Sequence, residues 1–347
     1  NNNNNNNTCI PINTSEKAKT VIQKIEEIIT QDEGGRGVRE LVVPRDLERS
    51  ANILASLKPN SHVLILSGFP CCVNEDPPTE TDGPPGTVAI AKASVNALGH
   101  RVTIVVDDCN AVVFRAAIEK SGLGWLDGRG NDVLSVVSFP AESYMTSDDY
   151  DRMNALADAC DLVIACERAG PSKDGHCYTM KGIDMTAKGL IAPLHKIVDR
   201  VNLRNSQEEN SGKGHVYFIA IGDGGNEMGM GKVYMNIVLS DVIKNGEKIA
   251  AMTAADFLVA ASVSNWGGYA LAAATLCIHF TNEYTSVSKW LPTEDDEIAL
   301  LQRCIDKGCR DGVSGKTEMT VDGMPLQTSL ECLNKIRDVV IQFVNEE

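Results

Sequence analysis

"HVLILSGFPCCVNEDPPTETDGPPGTVAIAKASVNALG", residues 62 to 99, is the stretch on which the fold class turns. An apolar run at 62–68 leads into an acidic, proline-rich loop, and a Gly-Pro-Pro-Gly step then opens helical spacing at 85–99. That order predicts a strand, a loop and a helix. Pro85 suits the start of the helix, because its missing N–H costs nothing there. The run is apolar nearly throughout rather than alternating, as expected of a parallel strand covered on both faces.

The same pattern continues outward. Runs "RVTIVVDD" (101–108), "DVLSVVSF" (132–139), "DLVIACE" (161–167), "HVYFIAIGD" (215–223) and "DFLVAAS" (256–262) read as strands, and 15–31, 111–122 and 148–160 carry helix spacing. The expectation is an α/β, doubly wound, mostly parallel sheet with helices on both faces, Rossmann-like, whose ligands sit beyond the carboxyl ends of the strands. "RNSQEENSGKG" (204–214) reads as a surface loop rather than a linker. Residues 14–347 are therefore expected to form one domain behind a disordered or artefactual tail, residues 1–13, that opens with seven asparagines.

Across 347 residues, 32 Lys plus Arg stand against 47 Asp plus Glu, a net charge of −15 with no basic block, which argues against nucleic-acid binding. The 11 cysteines are odd in number and include no CxxC pair. They read as reduced thiols, as in cytoplasm or mitochondrial matrix, and with no signal peptide legible a secreted setting is not expected. The most membrane-like segment, 256–280, is interrupted by Asp256, Asn265 and Gly267–Gly268. A buried strand, a turn and a buried helix explain it better than a membrane span.

Three loops that follow strands could carry chemistry. "GDGGNEMGMGKV" (222–233) has neither the dinucleotide fingerprint nor a Walker A pattern, and Asp223 and Glu227 would oppose a phosphate. No NAD or ATP is expected. Its glycine N–H groups suit a carboxylate, and its acids suit an ammonium group or a divalent cation held by Asp223, Asn226 and Glu227. The ordinary alternative is a tight turn whose acids cap a helix. In "CCVNEDPPTETDGPPGTVAIA" (71–91), Glu80 and Asp82 stand just before a helix start, where capping is again the plainer reading. "CERAGPSKDGHCYTMKGIDMT" (166–186) mixes charges of both signs, with Arg168 shaped to clamp a carboxylate and Lys181 and Asp184 as further candidate contacts.

"TETDGPPG", "CERAGPSKDGHCYTMKGIDMT" and "IGDGGNEMGMGKV", in this order and separation, resemble the carboxy-terminal domain of the D-glutamate cyclase family over most of residues 14–345. The resemblance implies conversion of D-glutamate to 5-oxo-D-proline and water. It also implies a mitochondrial setting and, as in animal members, a hydro-lyase-like half preceding this one and not found in this chain. Set against that reaction, Asp223 or Glu227 is the expected base for the ammonium and Arg168 the holder of the α-carboxylate. Gly224 and Gly225 N–H groups would face the oxyanion, with Asn226, Lys181 and Asp184 around the substrate. Glu80 or Asp82 would protonate the leaving oxygen. Glu80, Arg168 and Asp223 are thus expected to converge on one pocket. The competing reading is a non-catalytic or regulatory domain that binds an amino acid or carboxylate for a separate hydro-lyase domain; a homo-oligomer is compatible with either.

Overall fold

The computed structural model describes residues 13–32, 35–119, 133–208, 214–279 and 290–345. Its centre is a six-stranded parallel sheet in the order β3-β2-β1-β4-β5-β6. The strands are β1 (His62–Gly68), β2 (Arg101–Asp107), β3 (Leu134–Phe139), β4 (Leu162–Arg168), β5 (Tyr217–Gly222) and β6 (Phe257–Ala260). Every residue of β1 and β4 is buried, as continuous apolar runs require when both faces are covered. Strand order reverses between β1 and β4, which opens a crevice at their carboxyl ends.

The helices are α1 (Glu16–Ile29), α2 (Asp46–Ser56), α3 (Pro84–Lys92), α4 (Ala111–Ile118), α5 (Ser147–Ala159), α6 (His195–Glu208), α7 (Tyr234–Leu239), α8 (Gly246–Ile249), α9 (Ser264–His279), α10 (Glu294–Asp306) and α11 (Leu326–Asn345). One core, with Ile25, Leu54, Phe114, Trp266, Leu301 and Ile336, lies on one face of the sheet. A second, with Leu64, Val163, Met153, Ile197 and Ile237, lies on the other. Helices therefore cover both faces, as the strand pattern predicts.

Residues 256–279 form β6, a turn and α9, with α9 buried on all sides from Ser264 to Ile278. No helix among the described residues is long and apolar enough to cross a membrane. Crossing of α3 and α9 is close: a Cβ on Gly268 would lie 2.5 Å from Gly86 Cα. The helix expected over 85–99 starts at Pro84, runs as α-helix to Lys92 and finishes as a π-helical turn over Ala93–Ala97. Its proline pair occupies the first turn, where no N–H is missed. The ten cysteines among the described residues are free thiols. Of the expected tail, residues 1–12 lie outside the described residues, as does Asp132 of the run expected at 132–139.

A small antiparallel hairpin, β7 (Thr320–Val321) and β8 (Met324–Pro325), is joined by Asp322-Gly323. Both turn residues have positive φ, +54° and +76°, as a two-residue hairpin turn that matches strand twist demands. This hairpin carries Asp322 to the sheet crevice, where it meets Arg36.

Candidate functional site

Three loops meet at the carboxyl ends of β1, β4 and β5, which are neighbours in the sheet. The second and third are stitched together: Met228 N–H donates to Arg168 O at 2.7 Å and Gly170 N–H to Asn226 O at 2.9 Å. The first is held from outside, by Thr81 N–H to Arg310 O at 2.8 Å and Arg310 N–H to Thr79 O at 3.0 Å. Backbone pairing thus sets where the acids end up.

Asp82, Glu167 and Asp223 converge, each with a carboxylate oxygen within 4.8 Å of the others. They are 2%, 5% and 2% exposed. Asp82 caps α9, accepting from Asn265 N–H at 2.7 Å, Ser264 N–H at 2.8 Å and Gly83 N–H at 3.0 Å. A helix N-terminus favours an anion there. Glu167 accepts from Ser264 Oγ at 2.5 Å and holds an unusual backbone, φ +45°. Positive φ in a non-glycine residue costs about 1–3 kcal/mol and persists only where the surroundings impose it. Opposite it stands Gly83, at φ +109°, where a Cβ would lie 3.1 Å from Glu167 Cβ; the Asp-Gly pair of the first loop is needed for this approach.

Asp223 faces Arg36. Arg36 Nη2 donates to Asp223 Oδ1 at 3.1 Å, while Nη1 donates to Asp322 Oδ2 at 2.6 Å and lies 3.1 Å from Asp223 Oδ2. That last contact lacks hydrogen-bond alignment, and Asp223 Oδ2 accepts no hydrogen bond. Glu80, 6% exposed, adjoins the group and packs against Gly312. Burial pushes Glu80, Asp82, Glu167 and Asp223 well above the usual carboxylate range, and repulsion from neighbouring acids, Asp322 and Glu227 among them, adds to it. In Asp223 the Arg36 charge works the other way, toward the ionised form.

Other residues singled out from the sequence are used differently. Gly224 and Gly225 N–H groups do welcome a carboxylate, but it is Glu227's own, at 2.9 and 2.7 Å. They are not open to a substrate oxyanion in this structure, and Glu227, expected with Asp223 and Asn226 around a cation, has both oxygens engaged. Asn226 Nδ2 donates to Tyr178 O at 2.8 Å and so braces the two loops. Arg168 does not join the acids. Its guanidinium closes on Asp107 through both Nη groups and also donates to Ala192 O at 2.9 Å and Gly68 O at 3.3 Å. Lys181 is exposed, and Asp184 pairs with His176 Nδ1 at 2.6 Å, so neither reaches the buried group.

Arg36, Asp322 and the role of Glu167 escape the sequence reading. Arg36 lies in a glycine-rich segment outside the strand-and-helix rhythm, and Asp322 reads only as a turn residue. Glu167 is one charge among many in its loop. Its position as the penultimate residue of an apolar strand is the one signal that could have raised it above the rest.

The family model described as D-glutamate cyclase-like, C-terminal, matches residues 25–337. Over 350 aligned residues the chain is 32% identical to the human protein named "D-glutamate cyclase, mitochondrial", a match covering 94% of this chain and 53% of that one. The chain thus spans about half the length of the curated relative it matches.

Proposed function

The chain belongs to the D-glutamate cyclase-like, C-terminal family, and from that premise we propose that it closes D-glutamate to 5-oxo-D-proline and water at the buried carboxylate group. The observation that carries the reading is the convergence of Asp82, Glu167 and Asp223 at the sheet's switch point, beside Arg36.

In the reaction the amine nitrogen bonds to the side-chain carboxyl carbon, a C–O bond breaks, and the two hydrogens lost from the ammonium leave with the oxygen as water. The site must therefore take protons at one atom and return them at another. Asp223, which burial pushes well above the usual carboxylate range but which the Arg36 charge draws back toward the ionised form, is the acceptor on this reading. Glu80, whose carboxyl burial and neighbouring anions shift toward the protonated form, is the donor to the leaving oxygen. Arg36, whose side chain is 28% exposed, replaces Arg168 as the cation available to the α-carboxylate. Enclosing a substrate with amine and carboxyl in one molecule supplies much of the rate by orientation alone.

A mitochondrial setting accords with the relative's name. Nucleotides have no seat in this reading, since Glu227 occupies the glycine N–H groups a phosphate would need; calorimetry with NAD or ATP should register no binding. The deciding experiment is turnover of D-glutamate by the purified chain, with 5-oxo-D-proline separated chromatographically. Asp223→Asn should fold and lose about 10²–10⁴-fold in turnover. No turnover by the unmutated chain, with D-glutamate still raising its melting temperature, would replace this reading with that of a carboxylate-binding domain.

A further inference from the structure

Asp82, Glu167 and Asp223 form a group whose geometry asks for more positive charge than the protein supplies. Their oxygens lie within 4.8 Å of one another. Ligands on opposite sides of an Mg²⁺, Mn²⁺ or Ca²⁺ ion, each about 2.1–2.5 Å from it, stand about 4.2–5.0 Å apart. Arg36 is shared with Asp322, to which it is closer: 2.6 Å against 3.1 Å to either oxygen of Asp223. Buried carboxylates without full compensation are costly, whether the compensation is a proton or a cation.

A separate observation concerns one member of this group. Asp223 Oδ2 is buried and accepts no hydrogen bond, whereas Asp82 accepts three backbone N–H groups and Glu227 two. That Asp223 oxygen has lost its hydration and has only the misaligned Arg36 charge at 3.1 Å in exchange, with no hydrogen-bond donor. Asp82 and Glu167 are fixed by the N-terminus of α9, the first by its N–H groups and the second by Ser264 Oγ, so two of the three ligands are held in place from outside.

We propose that Asp82, Glu167 and Asp223 bind one hard divalent cation, of the Mg²⁺, Mn²⁺ or Ca²⁺ class. The all-carboxylate donor set selects oxygen-preferring ions over those that seek sulfur or imidazole. Arg36 is then the cation's competitor, holding Asp223 when the ion is away. This assignment differs from the set the sequence suggested, because the side chains whose oxygens converge within 4.8 Å are Asp82, Glu167 and Asp223, not Asn226 and Glu227. It stands whether or not the substrate is D-glutamate.

The test is titration of the chelator-treated chain with Mn²⁺, followed by loss of the free-ion electron paramagnetic resonance signal, with Mg²⁺ and Ca²⁺ as competitors. One ion should bind per chain. Glu167→Gln and Asp223→Asn should each weaken binding by at least about 10–100-fold while circular dichroism shows native helix content. Arg36→Gln should tighten it, an outcome a merely structural arginine would not give. Failure of Mn²⁺ to bind the unmutated chain at millimolar concentration would overturn the proposal. So would affinity unchanged in both carboxylate variants, which would trace binding to exposed acids on this strongly negative surface. If one variant fails to fold, the other carries the same comparison, and Arg36→Gln weakening the affinity would count against the site.

Discussion

Glu167 and Arg168 are consecutive residues at the end of β4, both almost wholly buried, and they meet opposite fates. Arg168 is held against a countercharge by its Nη groups, although its buried Nε has no hydrogen-bond partner. Both Nη groups lie on Asp107, whose oxygens also accept from Ala192 N–H at 2.6 Å and Asn110 Nδ2 at 2.9 Å. Glu167 faces Asp82, Glu80 and Glu227 with the Ser264 hydroxyl as its donor, on a backbone of positive φ. Removing one partner of a buried ion pair is strongly destabilising, whereas a carboxyl kept buried among like charges is itself a cost the fold carries elsewhere. The difference separates scaffold from site within one dipeptide.

Breaking the paired side should have the largest effect. Arg168→Met leaves Asp107 buried without its partner and should cost about 3–5 kcal/mol in chemical denaturation. A variant as stable as the parent, altered only in the KM for D-glutamate, would return Arg168 to the clamp role the sequence suggested.

The opposite edge of the sheet offers a control. His100, just before β2, is 1% exposed, and burial pushes its pKa down to about 4. Its folded-state value is depressed, so the stability it permits is complete above the ordinary value of 6.5. That stability is lost as pH falls from 6.5 toward 4. Unfolding free energy should drop by about 2 kcal/mol between pH 6.5 and 5 from this residue, and His100→Phe should flatten the slope. A slope unchanged by the substitution would show that burial is not what governs this imidazole.

Relieving the unpaired side should change the sign. In chelated buffer at neutral pH, Glu167→Gln removes a destabilising buried carboxyl and should raise stability by about 0.5–2 kcal/mol, while turnover falls. Loss of stability instead would make Glu167 a member of the scaffold and erase the contrast with its neighbour.

The smallest effect belongs to the surface. His176 and Asp184, 44% and 27% exposed, form a pair that raises the imidazole pKa. Asp184→Asn should return the His176 pKa, followed by nuclear magnetic resonance, toward its ordinary value, with less than about 1 kcal/mol of stability at stake. A large loss of turnover there would extend the site beyond the buried acids.

Much of this was legible along the chain. Strand β1 is read to the residue, and the others within about two positions where they are described, because unbroken Val/Ile/Leu runs between turn residues leave few alternatives. The loops carrying Glu80, Asp82 and Asp223 were found for the same reason: strand ends are local features, and ligands gather beyond them. Arg168 is not legible locally, because charge type suggests a clamp and nothing nearby in the chain reveals Asp107. Gly224 and Gly225 mislead as well, since Glu227 competes for their N–H groups from within the same motif.

The sequence by itself determined the layered sheet, the three acidic or glycine-rich loops and the family, all of which rest on patterns within a few residues of one another. Tertiary structure alone decided which charges meet. Arg36 and Asp223 are 187 positions apart, Arg36 and Asp322 286, and Ser264 reaches Glu167 across 97. Burial and pairing set the energy of a charge, and both are properties of such distant contacts. Two neighbouring charges that look interchangeable in the chain therefore become, once folded, a scaffold pin and a member of the site.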